Sequence, residues 1–389
     1  WAYVCSYLSL HFIHIKSFSM IKKKIAILGS TGSIGKSSLD VISLNKNKFN
    51  IIVLSANSNY KEIKNQIKTY RPKYFVVNNL IVYEKILKKF RNKKVKILSK
   101  FKELPSKIKF DITIAAIVGI AGLEPTIQFT KKSKKILLAN KESIICGWHI
   151  ISKIIKKNKT VVIPIDSEHF SIKQLTYNYK NADIKKIYLT ASGGPFLKRP
   201  LRSFNKIKSK DACKHPNWRM GKKISIDSSN LMNKILELIE AYKLFLFDPK
   251  KYEILIHPQS LIHAIVTFQN GQSKFLYHDT DMRIPISNAI YDNQVNIKNI
   301  IKKNNNFLDK LKNIEFIKVD KKRFPIVTLL KKFSNNNSGP IILNASNETL
   351  VSKFIEGKIS FKAIFFYLKS VLGHKHFKKY AIKRAPNID

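Results

Sequence analysis

From Lys24 to Ile165 the chain alternates short β-rich runs with amphipathic segments at helical spacing, and this alternation limits the fold more than any other feature. Ile25–Leu28 reads as a strand and Ile34 to about Leu44 as a helix. Ile51–Leu54 is a second strand, Tyr60–Tyr70 a helix, and Tyr74–Val77 and Ile112–Ile117 further strands. Helices fall near 82–90 and 123–131, followed by a strand at Lys135–Leu138, a helix from Glu142 and a strand at Val161–Ile165. Units of this length in this order imply an α/β fold built on a parallel, doubly wound sheet. Past residue 170 the order loosens. Ile187–Thr190 reads as a strand, residues 197–223 as a basic, turn-rich stretch, and Ser229 to Phe245 as one helix. Three strand-like runs lie between Ile254 and Phe275. The Asn- and Lys-rich residues 293–322 read as a linker, and the remainder from Phe324 is helical in pattern.

Composition narrows the function classes. The chain has 72 Lys and Arg against 25 Asp and Glu, a formal net charge of +47. The lysines are scattered from Lys16 to Lys383 alongside abundant Ile and Asn, the composition that AT-rich codons produce. Charge of this kind governs solubility and non-specific attraction rather than fold. A nucleic-acid-binding protein would cluster its cations with stacking aromatics or carry a recognisable module, and neither is found. The surface should still attract phosphorylated small molecules. No run approaches the roughly eighteen apolar residues of a membrane span. Cys5, Cys146 and Cys213 form no disulfide or zinc pattern, which favours a reducing, cytoplasmic compartment. Residues 1–19, aromatic and without acids, read as a non-structural extension before Met20.

Gly29-Ser-Thr-Gly32-Ser-Ile-Gly35 follows a strand and opens a helix. Glycines allow positive φ and close backbone approach, and a helix N-terminus presents free N–H groups to a pyrophosphate. The spacing is G-x-x-G-x-x-G, so a plain strand-to-helix turn is the competing reading. Ser55 to Asn59 contains no carboxylate to hold a ribose hydroxyl, which leans toward NADP over NAD.

Asp166 and Glu168 follow the run Val161-Val162-Ile163 and lie two positions apart, so they can converge on one point. Two hard oxygen ligands at the end of a parallel strand suit Mg²⁺ or Mn²⁺. Taken alone, helix capping explains these residues at least as well. A second segment shifts the balance. Asn230, Asn233, Lys234 and Glu237 fall on one helical face, joining amides, an amine and a carboxylate able to bind phosphate and share a cation. Ser192-Gly193-Gly194 is a small-residue turn that exposes backbone N–H groups to an anion, or simply a turn. His215 and Trp218, on a loop ending near Gly221, read as a lid or as a loop pinned by its tryptophan.

Together these residues resemble one family closely, the 1-deoxy-D-xylulose 5-phosphate reductoisomerases of non-mevalonate isoprenoid (isopentenyl diphosphate) biosynthesis. The markers are GSTGSIG at 29–35, LLANKES at 137–143, PIDSEH at 164–169, ASGGPF at 191–196, KHPNWRMGKKISIDS at 214–228, MNK at 232–234 and IHPQSLIH at 256–263. The resemblance implies a Rossmann-like NADPH domain over 20–165 and an α+β catalytic domain over 166–292 with a lid at 197–223. A linker at 293–322 and a helical domain at 323–389, trimmed at its end, would follow, in a homodimer. It implies Asp166, Glu168 and Glu237 as ligands of Mg²⁺, Mn²⁺ or Co²⁺. Ser192, Ser228, Asn233 and Lys234 resemble the phosphate-binding set, with Ser167 and His215 on the substrate backbone. Thr31, Gly32, Ser33 and Ile34 resemble the pyrophosphate site, with Asn57, Ser58, Asn59, Asn140, Lys141, Glu142 and Gly221 completing the cofactor side. Lys234 and His215 join the carboxylates as catalytic groups. The implied reaction rearranges the carbon skeleton to an aldehyde, which NADPH reduces to 2-C-methyl-D-erythritol 4-phosphate.

Two departures from the family pattern stand out. Asn57-Ser58 replaces a glycine and basic residue, and Thr280 replaces a proline before Asp281-Met282-Arg283. A rival within the same fold class, a metal-free dehydrogenase, leaves the three acids without a role.

Overall fold

The computed structural model describes residues 21–218, 221–299, 301, 307–333 and 338–383. The extension at 1–19 and the lid residues Arg219 and Met220 lie outside them. Seven strands, β1 (Lys23–Leu28), β2 (Phe49–Ala56), β3 (Tyr74–Val77), β4 (Lys96–Leu98), β5 (Phe110–Ala115), β6 (Ser133–Leu138) and β7 (Val161–Pro164), form one sheet in the order β4-β3-β2-β1-β5-β6-β7. Every pairing is parallel. The helices are α1 (Ser33–Ser43), α2 (Tyr60–Tyr70), α3 (Leu80–Phe90), α4 (Leu123–Thr130) and α5 (Lys141–Asn158). Ile25 and Ile27 of β1 join the α1–α3 side of the core, and Ala26 and Leu28 face Phe129 and Ile144 on the α4–α5 side. Burial on both faces is why the central strand is an unbroken apolar run rather than an alternating one. The chain leaves β1 in one direction and returns on its other side at β5, which creates a switch-point crevice at their carboxyl ends.

A second sheet has the order β11-β10-β8-β9-β12. Its strands are β8 (Ile184–Ala191), β9 (Tyr252–Ile256), β10 (Ile262–Phe268), β11 (Ser273–Tyr277) and β12 (Ile317–Lys318). Helix α6 (Ser167–Leu175) supplies Ile172 and Leu175 to its core. Leu238, Ala241 and Tyr242 come from a helix at Met232–Phe245.

Three expectations are corrected. The helix read from about Ser229 to Phe245 begins three residues later, at Met232, and a separate helix precedes it. After a short α7 (Ser209–Ala212) comes α8 (Lys222–Ser229), then α9 (Met232–Phe245). Leu231 breaks them at φ 68, and Asn230 caps the end of α8 instead of joining the face of α9. The stretch 197–223 is partly anchored, because Phe204, Ile207 and Ala212 are buried in the main apolar cluster. The boundary at 292 and the linker are also redrawn. Helix α10 (Arg283–Tyr291) packs on α1, with Ile286, Ala289 and Ile290 buried in the first domain's core. Each such side chain contributes roughly 1.5–3 kcal/mol, so α10 belongs in space to the nucleotide-type domain. The linker carries α11 (Phe307–Lys312) and β12, which pairs with β9. A strand of two residues has no alternation to read.

Helices α12 (Gly339–Ile355), α13 (Phe361–Gly373) and α14 (Lys375–Ala381) complete the described chain. Leu343, Val351, Phe354, Ile364 and Leu368 share one cluster with Ile145 of α5, Ile226 of α8 and Ile235 and Ile239 of α9. Among the described residues no helix is long and apolar enough to cross a membrane.

Candidate active site

Asp166 is the N-cap of α6, accepting from the Glu168 amide at 3.2 Å, so capping and site geometry coexist in one residue. Glu237 enters from α9 and is 1% exposed. One oxygen from each of Asp166, Glu168 and Glu237 lies within 4.8 Å of the others. Lys234 Nζ sits among them, 2.6 Å from Glu168 Oε1 and 2.5 Å from Glu237 Oε2. Lys141 Nζ lies 3.5 Å from Glu237 Oε1 and donates to Asn233 Oδ1 at 2.6 Å. Burial alone would lower both lysines, but the carboxylates more than offset it and hold both above the ordinary lysine range. Asn233 Nδ2 donates to Glu237 Oε1, and Ser167 Oγ donates to Glu168 Oε2.

His169 braces two walls of this cage. Its Nε2 donates to the Glu237 carbonyl at 2.8 Å, while Nδ1 stands 3.5 Å from Asp166 Oδ1. Burial works against its protonation, but Glu240, Asp166 and Glu237 push it up to about 9. Burial and Glu237 tend to raise Asp166, yet His169 and Lys141 leave it below the usual carboxylate range. Three hard carboxylate donors converging on one point, one of them on an almost wholly buried residue, form a set that could hold a small divalent cation.

Beside the cage, β8 ends at the Ser192 turn. Gly193 and Gly194 have φ 80 and 64. A Cβ on Gly194 would lie 2.9 Å from Ser229 Cα, so glycine lets the turn touch the end of α8, where Ser228 sits. His215 Nδ1 accepts from the Asn217 and Trp218 amides at 3.2 and 3.0 Å. Nε2 therefore carries the proton and donates to Ser192 Oγ at 2.9 Å. Ser192 Oγ also accepts from the Gly194 amide at 3.1 Å, which leaves its own O–H to donate elsewhere. Burial, against the pull of Glu168, pushes His215 down to about 4 and keeps the ring neutral. Asn217 Nδ2 ties this loop to Pro258 O at 2.7 Å, and Trp218 stands edge-on to His263, which stacks on His278 at 4.0 Å.

At the switch point, Gly29 has φ 81, and a Cβ on it would lie 2.7 Å from Ala116 O. A Cβ on Gly35 would overlap the Gly29 and Ser30 backbone. Helix α1 opens at Gly32 with no side-chain cap, which leaves the amides near Ser33 and Ile34 for an anion. Thr31 and Ile34 are half-buried; Gly32 and Ser33 are exposed. Asn57 and Ser58 are exposed at the end of β2, and Asn59 caps α2. Asn140 caps α5 and donates to the Ile117 and Gly119 carbonyls at 2.6 and 2.9 Å, and Glu142 is buried beside it. Lys141, expected on the cofactor side, turns its ammonium toward Glu237 and Asn233. Gly221 caps α8 in open space. The sequence reading missed the bracing role of His169 and the His263–His278 wall. The only signals were positions, one residue past Glu168 for His169 and the end of IHPQSLIH for His263, and His278 had none.

A switch-point crevice with an uncapped helix, joined to a carboxylate-lined second domain, defines an α/β oxidoreductase of the dinucleotide-binding class. Three family models match the chain. They are 1-deoxy-D-xylulose 5-phosphate reductoisomerase over 25–147, its C-terminal domain over 162–245, and a further DXP reductoisomerase C-terminal domain over 278–389. The 1-deoxy-D-xylulose 5-phosphate reductoisomerase of Pelagibacter ubique (strain HTCC1062) is 46% identical over 376 residues, covering 94% of this chain and 95% of that protein. That of Wolbachia pipientis wMel is 38% identical, covering 90% of each. The solved Zymomonas mobilis enzyme in complex with NADPH matches with TM-score 0.85 at 32% identity, covering 95% of this chain and 94% of that one. A DOX-P reductoisomerase solved with NADPH, fosmidomycin and magnesium matches at TM-score 0.83 and 33% identity, covering 92% and 90%. The chain belongs to the 1-deoxy-D-xylulose 5-phosphate reductoisomerase family.

Proposed function

We propose that this chain converts 1-deoxy-D-xylulose 5-phosphate to 2-C-methyl-D-erythritol 4-phosphate with NADPH and a divalent cation, in non-mevalonate isoprenoid biosynthesis. The observation that carries the reading is the convergence of Asp166, Glu168 and Glu237 within 4.8 Å, beside a serine turn suited to an anion. Asp166, Glu168 and Glu237 would hold Mg²⁺, Mn²⁺ or Co²⁺, which supplies Lewis-acid polarisation of the substrate's oxygens. Thr31, Gly32, Ser33 and Ile34 would hold the pyrophosphate of NADPH, the hydride source, with Asn140 and Glu142 toward its reactive end.

The chain's own groups orient the substrate and manage charge. Ser192 donates its free hydroxyl hydrogen to the phosphate, and neutral His215 fixes that hydroxyl through Nε2. Ser228, at the end of α8, and Asn233 extend the grip. Lys234, kept protonated among the carboxylates, stabilises negative charge developing on the substrate's oxygens during rearrangement. Holding the phosphate away from the reacting carbons orients them, and Trp218 covers the pocket and excludes water.

The chain works as a homodimer. The edge strand β11 leaves Phe275 54% exposed, a face that a second copy would cover. Cys146 and Cys213 are free thiols, in keeping with the cytoplasm. The decisive experiment follows NADPH oxidation with the deoxyxylulose phosphate substrate, with chelator and with Mg²⁺ or Mn²⁺ restored. Metal-dependent turnover blocked by fosmidomycin is expected, and no turnover with metal present overturns the reading.

A further inference from the structure

A buried polar chain crosses all three parts of the molecule. Asn347 of α12 is 0% exposed, and its Nδ2 donates to Asp227 Oδ1 of α8 at 2.9 Å. Asp227 Oδ2 pairs with Lys223 Nζ, one turn earlier on α8, at 3.2 Å. The same ammonium lies 3.6 Å from Glu142 Oε1 in the first turn of α5. Glu142 Oε2 accepts in turn from Asn140 Nδ2 at 3.3 Å, and Asn140 holds the Ile117 and Gly119 carbonyls beyond β5.

The two ends of α8 give this chain its meaning. The helix starts at Gly221, next to the loop that carries Trp218, and ends at Ser228 and Ser229 against the Ser192 turn. The start of α5 lies on the nucleotide side. Asp227 and Glu142 are both buried carboxylates, and a buried charge is tolerated only when paired. Lys223 is the cation they share. Its Asp227 leg has hydrogen-bond length, while the 3.6 Å leg to Glu142 is an ion pair with slack that shortens if α8 moves toward α5.

The geometry points to Lys223 as a positioning residue that couples the substrate side of the site to the cofactor side through its shared contact with Asp227 and Glu142. Phosphate capture that draws α8 inward tightens the Glu142 leg, which steadies Asn140 and the 117–119 loop beside the cofactor. Cofactor binding, by reciprocity, favours the inward α8. This rests on the function proposed above.

The test uses the full chain as wild type, Lys223→Arg and Lys223→Met. NADPH affinity is measured with and without fosmidomycin plus Mg²⁺, and amide exchange is measured on the ligand-free protein. Coupling of about tenfold is expected in the wild type. It should fall below about twofold in Lys223→Met and recover in Lys223→Arg, while NADPH affinity alone changes little. Exchange at 117–119 and 140–143 should rise in Lys223→Met only. Asn347→Ala, which loosens Asp227 from the far end, should lower coupling partway and serves if Lys223→Met does not fold. Unchanged coupling and exchange in Lys223→Met, or an arginine variant as impaired as the methionine one, overturns the proposal. A wild type that binds no NADPH, but whose exchange still responds to Lys223→Met, sinks the functional reading and leaves the linkage standing.

Discussion

His215 donates through Nε2 to Ser192 Oγ at 2.9 Å because two backbone amides already occupy its Nδ1. The hydrogen bond orients a serine whose own hydrogen is free to bind an anion. Replacing His215 with Ala should raise the substrate KM about tenfold or more, in line with losing roughly 1.5 kcal/mol of oriented hydrogen bonding. Steady-state kinetics with unchanged NADPH affinity is the check.

The same histidine sets a pH dependence. Its ordinary value of 6.5 drops to about 4 in the fold, chiefly through burial. The fold thus favours the neutral ring, and that contribution is full above pH 6.5 and lost as pH falls through about 4. Substrate affinity and thermal stability should both decline on acidification across that window. His215→Gln should flatten the part of the decline that comes from this ring, read from melting temperatures at stepped pH.

Removing Glu237 should strike metal and turnover together. Glu237→Gln is expected to lower kcat at least about 100-fold, because it deletes a ligand rather than an outer contact, while NADPH still binds. Near-normal turnover would refute the ligand assignment. In the wild type, Mg²⁺ at about 100 times its Kd should add about 2.7 kcal/mol of stability. That gain should vanish in the variant and on chelation, as calorimetry will show.

Gly35 abuts the backbone of Gly29 and Ser30 with no room for a methyl group. Gly35→Ala should cost about 1–3 kcal/mol by overpacking and weaken NADPH binding by displacing the turn. A melting temperature equal to the wild type's would show that the turn has room to spare.

The β11 edge offers a test of assembly. If the proposed dimer forms through this edge, the wild type should sediment as a dimer, and Phe275→Asp, which puts a charge on the exposed strand face, as a monomer. A variant that remains dimeric moves the interface elsewhere.

Much of the first domain was legible because its strands are buried on both faces and its helices carry one apolar stripe. Tyr60–Tyr70 and Tyr74–Val77 match their expected limits. What escaped lies where local pattern is silent. Strand β4 is three residues long with one buried, and β12 has two exposed residues. Leu231 takes a left-handed conformation that an aliphatic side chain does not advertise. The carboxylates were legible as an anomaly in a basic chain, but residues 166 and 237 come from different helices, and only tertiary structure brings them to one point. Lys141 shows the limit of reading by segment. Its neighbour Asn140 holds the Ile117 and Gly119 carbonyls and Glu142 pairs with Lys223, while its own long side chain reaches across to Glu237.

Helix α10 returns to α1 after the whole second sheet except β12 has been laid down. The chain therefore passes between the two bodies three times, near residue 165, near residue 282 and again before β12. Those crossings, with the apolar cluster that joins Ile145 of α5 to Ile226, Ile235 and Ile239, bind the second sheet to the nucleotide-type body like a bolted flange. Any movement that narrows the crevice would carry Ser192 and Glu237 together.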